Sequence, residues 1–391
     1  MKNHILLIEK VKGNSFEHYV IDLNDILIRG DNYMQISIQK TTKPKPKPDQ
    51  DNLGFGRYFS DHMFIMDYDA EKGWHSPRIT PYEPLQLDPA TAAFHYGQAI
   101  FEGLKAYRAA DNRILLFRPE KNMERINITN NRMCIPPIDV DFCLEALKTL
   151  VSIDQDWVPT APGTSLYIRP FIFATDPYLG LRPSSSFKFM IILSPVGAYY
   201  PQGINPISIY VESEYTRAVK GGTGFAKTSG NYAASMKAQA KAAEKGFVQV
   251  LWLDGIEKKY IEEVGAMNVF FKINNEVITP ALEGSILPGI TRDSVIQLLK
   301  HWGMNVCERR VSMQELYDVY QARALKEAFG TGTAAVISPI GELNWNGMSI
   351  KIGQGEIGEV SLKVYDTLTG IQTGRFDDIF NWTLEVESAF K

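Results

Sequence analysis

Four short apolar runs alternate with stretches of helical periodicity, and this alternation narrows the possible folds more than any other feature. The runs are FMIILSPV (189–196), ISIYVE (207–212), VQVLWL (248–253) and MNVFFKI (267–273). They are rich in β-branched and aromatic side chains, which suit a pleated, half-buried surface, so they predict strands. Periodic apolar spacing predicts amphipathic helices over 139–153, 230–245, 291–303 and 313–323. The Ala-rich helix at 230–245 ends at Lys245-Gly246, a good stop signal. Strands and helices mix in both halves, so the expected class is α/β or α+β. A chain of 391 residues is long for one domain, and about two to three are expected. GAYYPQGINP (197–206) clusters Gly, Pro and Asn between two strands and marks a domain junction.

The N-terminal part differs in kind. In KTTKPKPKPDQDN (40–52), Pro44, Pro46 and Pro48 alternate with lysines, which disfavours helix and predicts a solvated, polyproline-like linker. The expected division is therefore an extension and linker over 1–53, a smaller α/β domain over 54–197, a connection over 198–206 and a larger cofactor-binding domain over 207–391.

Composition excludes several function classes. Hydrophobic residues at 45% and charged residues at 22% argue against wholesale disorder. A net charge of −4 supplies no basic field for nucleic acid or an anionic membrane. No run of 18 apolar residues occurs, so no membrane span is expected. The apolar core at Ile5–Leu7 is too short for a secretory signal. Cys134, Cys143 and Cys307 form no C-x-x-C pair and leave one thiol over in any pairing, which points to a reducing cytoplasm. The six histidines show no H-x-x-x-H pair, so no metal site is indicated.

Glycine-rich segments carry the remaining signals. GGTGFAKTSGN (221–231) places Lys227 just before a helix. It misses a phosphate-binding loop because Ala226 stands where the second glycine belongs. By itself it reads as a flexible turn with a solvated lysine. GQGEIG (353–358) matches G-x-G-x-x-G, but only 33 residues follow it, too few for a dinucleotide domain, so it reads as an ordinary turn. ILPGITRDS (286–294) opens a helix whose free N–H groups suit a phosphate, or is simply a cap. FGTGTAA (329–335) is either an anion-holding turn or a plain strand-to-strand turn.

Taken in order, these segments resemble the branched-chain amino acid aminotransferases, pyridoxal-phosphate enzymes of fold type IV. The resemblance runs from about Gly54 to about Gly370. It rests also on HYGQAIFEGLKAY (95–107), FRPEKNMERI (117–126), GTSLYIRP (163–170), PVGAYY (195–200), QVLWLDG (249–255) and EEVGAMNVF (262–270). It implies a two-domain fold with pyridoxal 5'-phosphate at the domain interface. It makes Lys227 the catalytic lysine that holds the cofactor as a Schiff base and shuttles the α-proton. It makes Glu263 the carboxylate on the pyridine nitrogen and Arg125 the phosphate-binding arginine. Ile290 and Thr291 would cap the phosphate through backbone N–H groups, and Thr333 through its hydroxyl. Tyr232 would meet the ring oxygen, and Leu287 would pack on the ring face.

For substrates, the resemblance implies Tyr96, Phe101, Tyr167, Arg169 and Tyr199 around a leucine, isoleucine or valine side chain. The backbone near Thr333 and Ala334 would meet the α-carboxylate. The same pocket must admit 2-oxoglutarate and L-glutamate, with Arg169 and tyrosine hydroxyls as partners for the second carboxylate. A cytoplasmic homodimer with no nucleic-acid or membrane partner is implied. Two departures stand out. Ala266 replaces a threonine of vertebrate relatives, which leaves only backbone contact at that position. Ala335 and Ser338 replace their redox cysteines, so no thiol switch is expected there. Residues 1–33 lie outside the resemblance and are expected to be dispensable, with Met34 as an alternative start.

Overall fold

The computed structural model describes residues 34–197 and 204–387 throughout, and before them two backbone strands, Ile5–Lys12 and Ser15–Asp22, paired antiparallel. Two nine-stranded sheets organise the chain. In the first, the order is Thr383–Glu385, Ile114–Phe117, Leu104–Arg108, Ser165–Ala174, Ser186–Val196, His62–Asp69, Gly73–Pro81 and Ser37–Ile38, with Ala99–Phe101 added beside Ser165–Ala174. In the second it is Ile261–Val264, Gln249–Leu253, Ile207–Glu212, Val336–Trp345, Leu325–Gly332, Asn268–Ile273, Glu276–Thr279 and Asn305–Glu308, with Met348–Lys351 beside Val336–Trp345.

Each expected strand and helix has ends within three residues of those of an observed element. Helices α1 (Ala92–Tyr96), α2 (Pro119–Arg132) and α3 (Val140–Ile153) go with the first sheet. Helices α4 (Ser229–Glu244), α5 (Ile290–His301), α6 (Met313–Gln321) and α7 (Glu359–Gln372) go with the second. Local chemistry explains their limits. The Asp139 carboxylate accepts from the Phe142 N–H at 2.9 Å and caps α3. Phe142, Ala146, Leu147 and Leu150 then recur at helical spacing and fill the core beneath the first sheet. Burying each large side chain stabilises the fold by roughly 1.5–3 kcal/mol. The Gly353–Gly358 turn is ordinary, as expected. It leads into α7, whose first N–H groups, Val360 and Ser361, donate to the buried Glu327 carboxylate at 3.1 and 3.0 Å.

Two expectations need correction. The first sheet includes Ser37–Ile38 and Thr383–Glu385, so it extends beyond 54–197 at both ends. The lysine-proline segment is also not a free linker. The Lys45 N–H donates to Asp61 Oδ1 at 2.8 Å, and its ammonium donates to the Phe59 and Ser60 carbonyls. Lys45 also sits 4.4 Å from the Tyr82 ring centroid, and Lys47 sits 4.2 Å from that of Trp157. Lys45 and Lys47, which read as solvating charges, thus anchor the strap by cation–π contact. Among the described residues, no helix is long and apolar enough to cross a membrane.

Candidate active site

Lys227 sits where the two sheets meet. The Phe101 N–H donates to the Lys227 carbonyl at 3.1 Å, and the Lys227 N–H donates to Thr129 Oγ1 at 3.1 Å. Thr228 Oγ1 donates to the Ala99 carbonyl at 2.9 Å. The residue's backbone is therefore held by the first sheet's Ala99–Phe101 strand and α2, while the helix that follows it packs on the second sheet. Its Nζ lies 2.9 Å from Tyr232 Oη and 4.9 Å from the Phe101 ring centroid. It is not the solvated lysine that the local sequence suggests.

The glycines before it serve chain packing. A Cβ on Gly224 would lie 2.1 Å from the Ser285 carbonyl oxygen, and Gly221 takes φ +84°. Glycine is required at 224 because the Ser285 backbone passes alongside, and at 221 because of its left-handed φ, constraints invisible to a motif search.

Glu263 lies buried on Ile261–Val264. Its Oε1 accepts from the Leu287 N–H at 2.9 Å, and its Oε2 lies 3.0 Å from Arg217 Nε. That Nε makes an ion pair without a hydrogen bond. Burial raises the carboxyl's pKa above its usual value, and Arg217 and the Leu287 N–H oppose this incompletely. The sequence reading missed Arg217, which stands in EYTRAVK with no recognisable motif around it.

Arg125, on α2, is gripped by Glu102. Arg125 Nε and Nη2 donate to the two Glu102 oxygens at 2.7 and 2.9 Å, and Nη1 donates to the Pro288 carbonyl at 2.9 Å. Burial opposes Glu102's charge most strongly, but the Arg125 fork, the Lys227 charge and Asn122 together hold its carboxyl below the usual range. Glu102 was also missed, although it stands in the EGLKAY block. A buried glutamate reads as surface until its partner is known.

Arg125 meets the start of α5, where Ile290 and Thr291 stand. The N-cap is Gly289, with no side chain to satisfy the first N–H groups. A Cβ there would lie 2.0 Å from Asn268 Oδ1, whose amide in turn donates to the Leu287 carbonyl at 2.9 Å. The hydroxyl of Thr331, which is paired with Asn268 across the sheet, is buried without a hydrogen-bond partner.

A cavity of about 560 Å³ opens onto Lys227. Phe101, Tyr167, Arg169, Tyr232, Ala266, Thr333 and Ala334 line it. Arg169 packs over the Phe101 ring at 4.7 Å and donates to Tyr167 Oη at 3.0 Å, leaving its buried Nε–H unpaired. Tyr167 lies against Gly103, where a Cβ would fall 2.0 Å from the hydroxyl oxygen. Phe55, missed in the sequence, closes edge-on against Tyr167 at 4.9 Å. A smaller cavity beside the first brings Arg217, Glu263, Leu287 and Tyr232 together. Tyr96 does not join this set. It is 41% exposed on α1, and its hydroxyl donates to the Leu179 carbonyl. Tyr199 lies outside the described residues.

This arrangement offers an amine beside a phenol, a buried carboxylate, and an arginine facing uncapped helix N–H groups. It fits a ring that carries an electrophilic carbon, a basic nitrogen and a phosphate. Residues 99–343 match the family Amino-transferase class IV. The chain is 63% identical over 351 residues to branched-chain-amino-acid aminotransferase 2 of Bacillus subtilis (strain 168), covering 90% of this chain and 97% of that protein. Its fold is similar to that of the Escherichia coli branched-chain amino acid aminotransferase, with a TM-score of 0.70, 28% identity, and coverage of 84% of this chain and 99% of that one. The branched-chain aminotransferase of the thermophilic archaeon Thermoproteus uzoniensis, solved with norvaline, matches at a TM-score of 0.69 and 25% identity, covering 83% of this chain and 100% of that one.

Proposed function

Since the chain belongs to the amino-transferase class IV family, we propose that it transfers the amino group of L-leucine, L-isoleucine or L-valine to 2-oxoglutarate, giving branched-chain 2-oxo acids and L-glutamate. The observation that carries this reading is the Lys227 amine, 2.9 Å from the Tyr232 hydroxyl at the floor of an aromatic-walled cavity that also holds Arg169. When bound, pyridoxal 5'-phosphate supplies an electrophilic carbon for amino groups and a ring that delocalises the electrons left by the departing α-proton.

The chain's own residues do the rest. Arg125, the Ile290 and Thr291 N–H groups and the Thr333 hydroxyl would hold the phosphate. Glu263 would hold a proton at the ring nitrogen, and Arg217 keeps Glu263 in place. Leu287 would pack on the ring, and Tyr232 would meet its oxygen. Lys227 Nζ takes the substrate's α-proton, oriented by Tyr232. Phe101 and Tyr167 exclude water from the substrate side chain. The N–H groups near Ala334 receive the α-carboxylate, with backbone contact alone at Ala266. The unpaired Nε–H of Arg169 supports the same pocket taking glutamate's second carboxylate.

A homodimer is part of this reading. Phe94, Tyr178, Leu179 and Leu181, the last 82% exposed, are exposed apolar side chains on the same two segments as Tyr96 and its partner Leu179, which supports this face of the chain meeting a second copy. A cytoplasmic setting is also proposed, supported by three cysteines that are all free thiols. The test is a donor panel of L-amino acids with 2-oxoglutarate on the purified holoenzyme. Leucine, isoleucine and valine should lead, with D-alanine inert. Full activity in Lys227→Ala would defeat the mechanism, and full glutamate activity in Arg169→Ala would defeat the dual pocket.

A further inference from the structure

Lys105 lies on Leu104–Arg108 and is 8% exposed, an unusual burial for a lysine. Its ammonium donates to the Ala334 carbonyl at 2.7 Å. Ala334 belongs to the turn joining Leu325–Gly332 to Val336–Trp345. That turn is a thin partition. Ala334 and Ala335 border both the cavity holding Lys227 and a second cavity of about 520 Å³ lined by Lys105.

A trans peptide is planar, with its C=O and N–H pointing in opposite directions. Holding the Ala334 carbonyl toward Lys105 therefore turns the Ala335 N–H the other way, toward Lys227's cavity. Among the described residues, the N–H groups of Thr333, Ala334 and Ala335 donate to no backbone or side-chain partner. Val336 follows at φ +61°, a strained conformation for a β-branched residue, so the turn needs an external hold.

We infer that Lys105 is a positioning residue for the substrate's α-carboxylate: it reaches the 333–335 turn from behind, orients its N–H groups into the active-site cavity and lends them positive charge. The inference rests on the proposed reading that this turn receives the carboxylate.

Charge supplies a second handle. Burial lowers Lys105's pKa to about 8, with no charged neighbour contributing. Tyr107 and Arg108 stand on its own strand, and Tyr167 and Arg169 on the adjoining one. Tyr365, Asp366 and Arg375 line its cavity, and Lys227 and Tyr232 lie across the turn. The ammonium is present below about pH 8 and is lost above it, so carboxylate binding should weaken as pH rises through that value.

The test uses holoenzyme and two unreactive ligands, 4-methylpentanoate and its neutral amide. Dissociation constants are read from the cofactor's absorption between about pH 6.5 and about pH 9.5. At neutral pH, Lys105→Met should weaken the acid about tenfold and the amide less than about threefold, a difference that a merely structural role would not produce. Lys105→Arg should bind the acid within about threefold of the parent and should lack the parent's loss of affinity above about pH 8, because guanidinium stays charged. Equal acid binding in Lys105→Met overturns the inference, as does equal weakening of acid and amide. If Lys105→Met does not fold, persistence of the alkaline loss in Lys105→Arg overturns it alone. A parent holoenzyme that neither binds the acid nor transaminates leucine overturns the functional reading itself. Parent binding that Lys105→Met matches overturns only the role of Lys105.

Discussion

Replacing Glu102 by glutamine should destabilise the apoenzyme severely while changing the side chain's size hardly at all. Four donors converge on this buried carboxylate. Oε1 receives Arg125 Nε–H at 2.7 Å. Oε2 receives Arg125 Nη2–H at 2.9 Å, Asn122 Nδ2–H at 2.8 Å and the Gly103 N–H at 3.1 Å. An amide has one acceptor oxygen. Its better orientation puts that oxygen at the Oε2 position and sets the NH2 group against Arg125 Nε–H. One buried donor is then left facing a donor, which costs about 1–3 kcal/mol. The Arg125 charge also loses its counter-ion, which brings the expected loss to about 3–5 kcal/mol.

Chemical denaturation of the apoenzyme measures this. The holoenzyme should lose less, because the proposed phosphate would give Arg125 another partner. The sign with pH also follows. Arg125 holds Glu102's folded pKa below its unfolded value, so its contribution is present above the unfolded value and lost as pH falls through the lower folded one. Glu102→Gln should therefore flatten the acid limb of stability. A loss under about 1 kcal/mol in the apoenzyme, with the acid limb unchanged, would refute the argument.

Two further outcomes are expected. Glu263→Gln should lower kcat for L-leucine by about 10- to 150-fold, the equivalent of one charge-assisted hydrogen bond of about 1.5–3 kcal/mol, and a parental kcat would remove Glu263 from the site. Gly224→Ala drives a methyl to 2.1 Å from the Ser285 carbonyl oxygen, so thermal unfolding should register a loss of about 1–3 kcal/mol, whereas an unchanged midpoint would show that the loop is free to move.

The candidate residues that the family resemblance marked share one property: they stand in short continuous motifs. Lys227 and Tyr232 flank one helix start, and LPGITR spells a helix opening without a capping side chain. The residues missed are those whose role is given by a distant partner. Arg217 is defined by Glu263, Glu102 by Arg125, 23 residues on, and Lys105 by Ala334, 229 residues on. The lysine-proline strap misled for the same reason. Charge and proline forecast solvent, but Tyr82, Trp157 and Asp61 wait in the folded surface.

Periodicity and turn chemistry were thus determined by the sequence alone, because backbone sterics and side-chain spacing act over a few residues, whereas Lys227 stood out only through the family resemblance. The charge state of Glu263, the grip on Arg125, the aim of the Ala334 turn and the place of Tyr96 outside its own cavity were decided only by the tertiary structure. Desolvation and ion pairing depend on which distant groups share a dry interior, and that is a property of the packed sheets rather than of any segment.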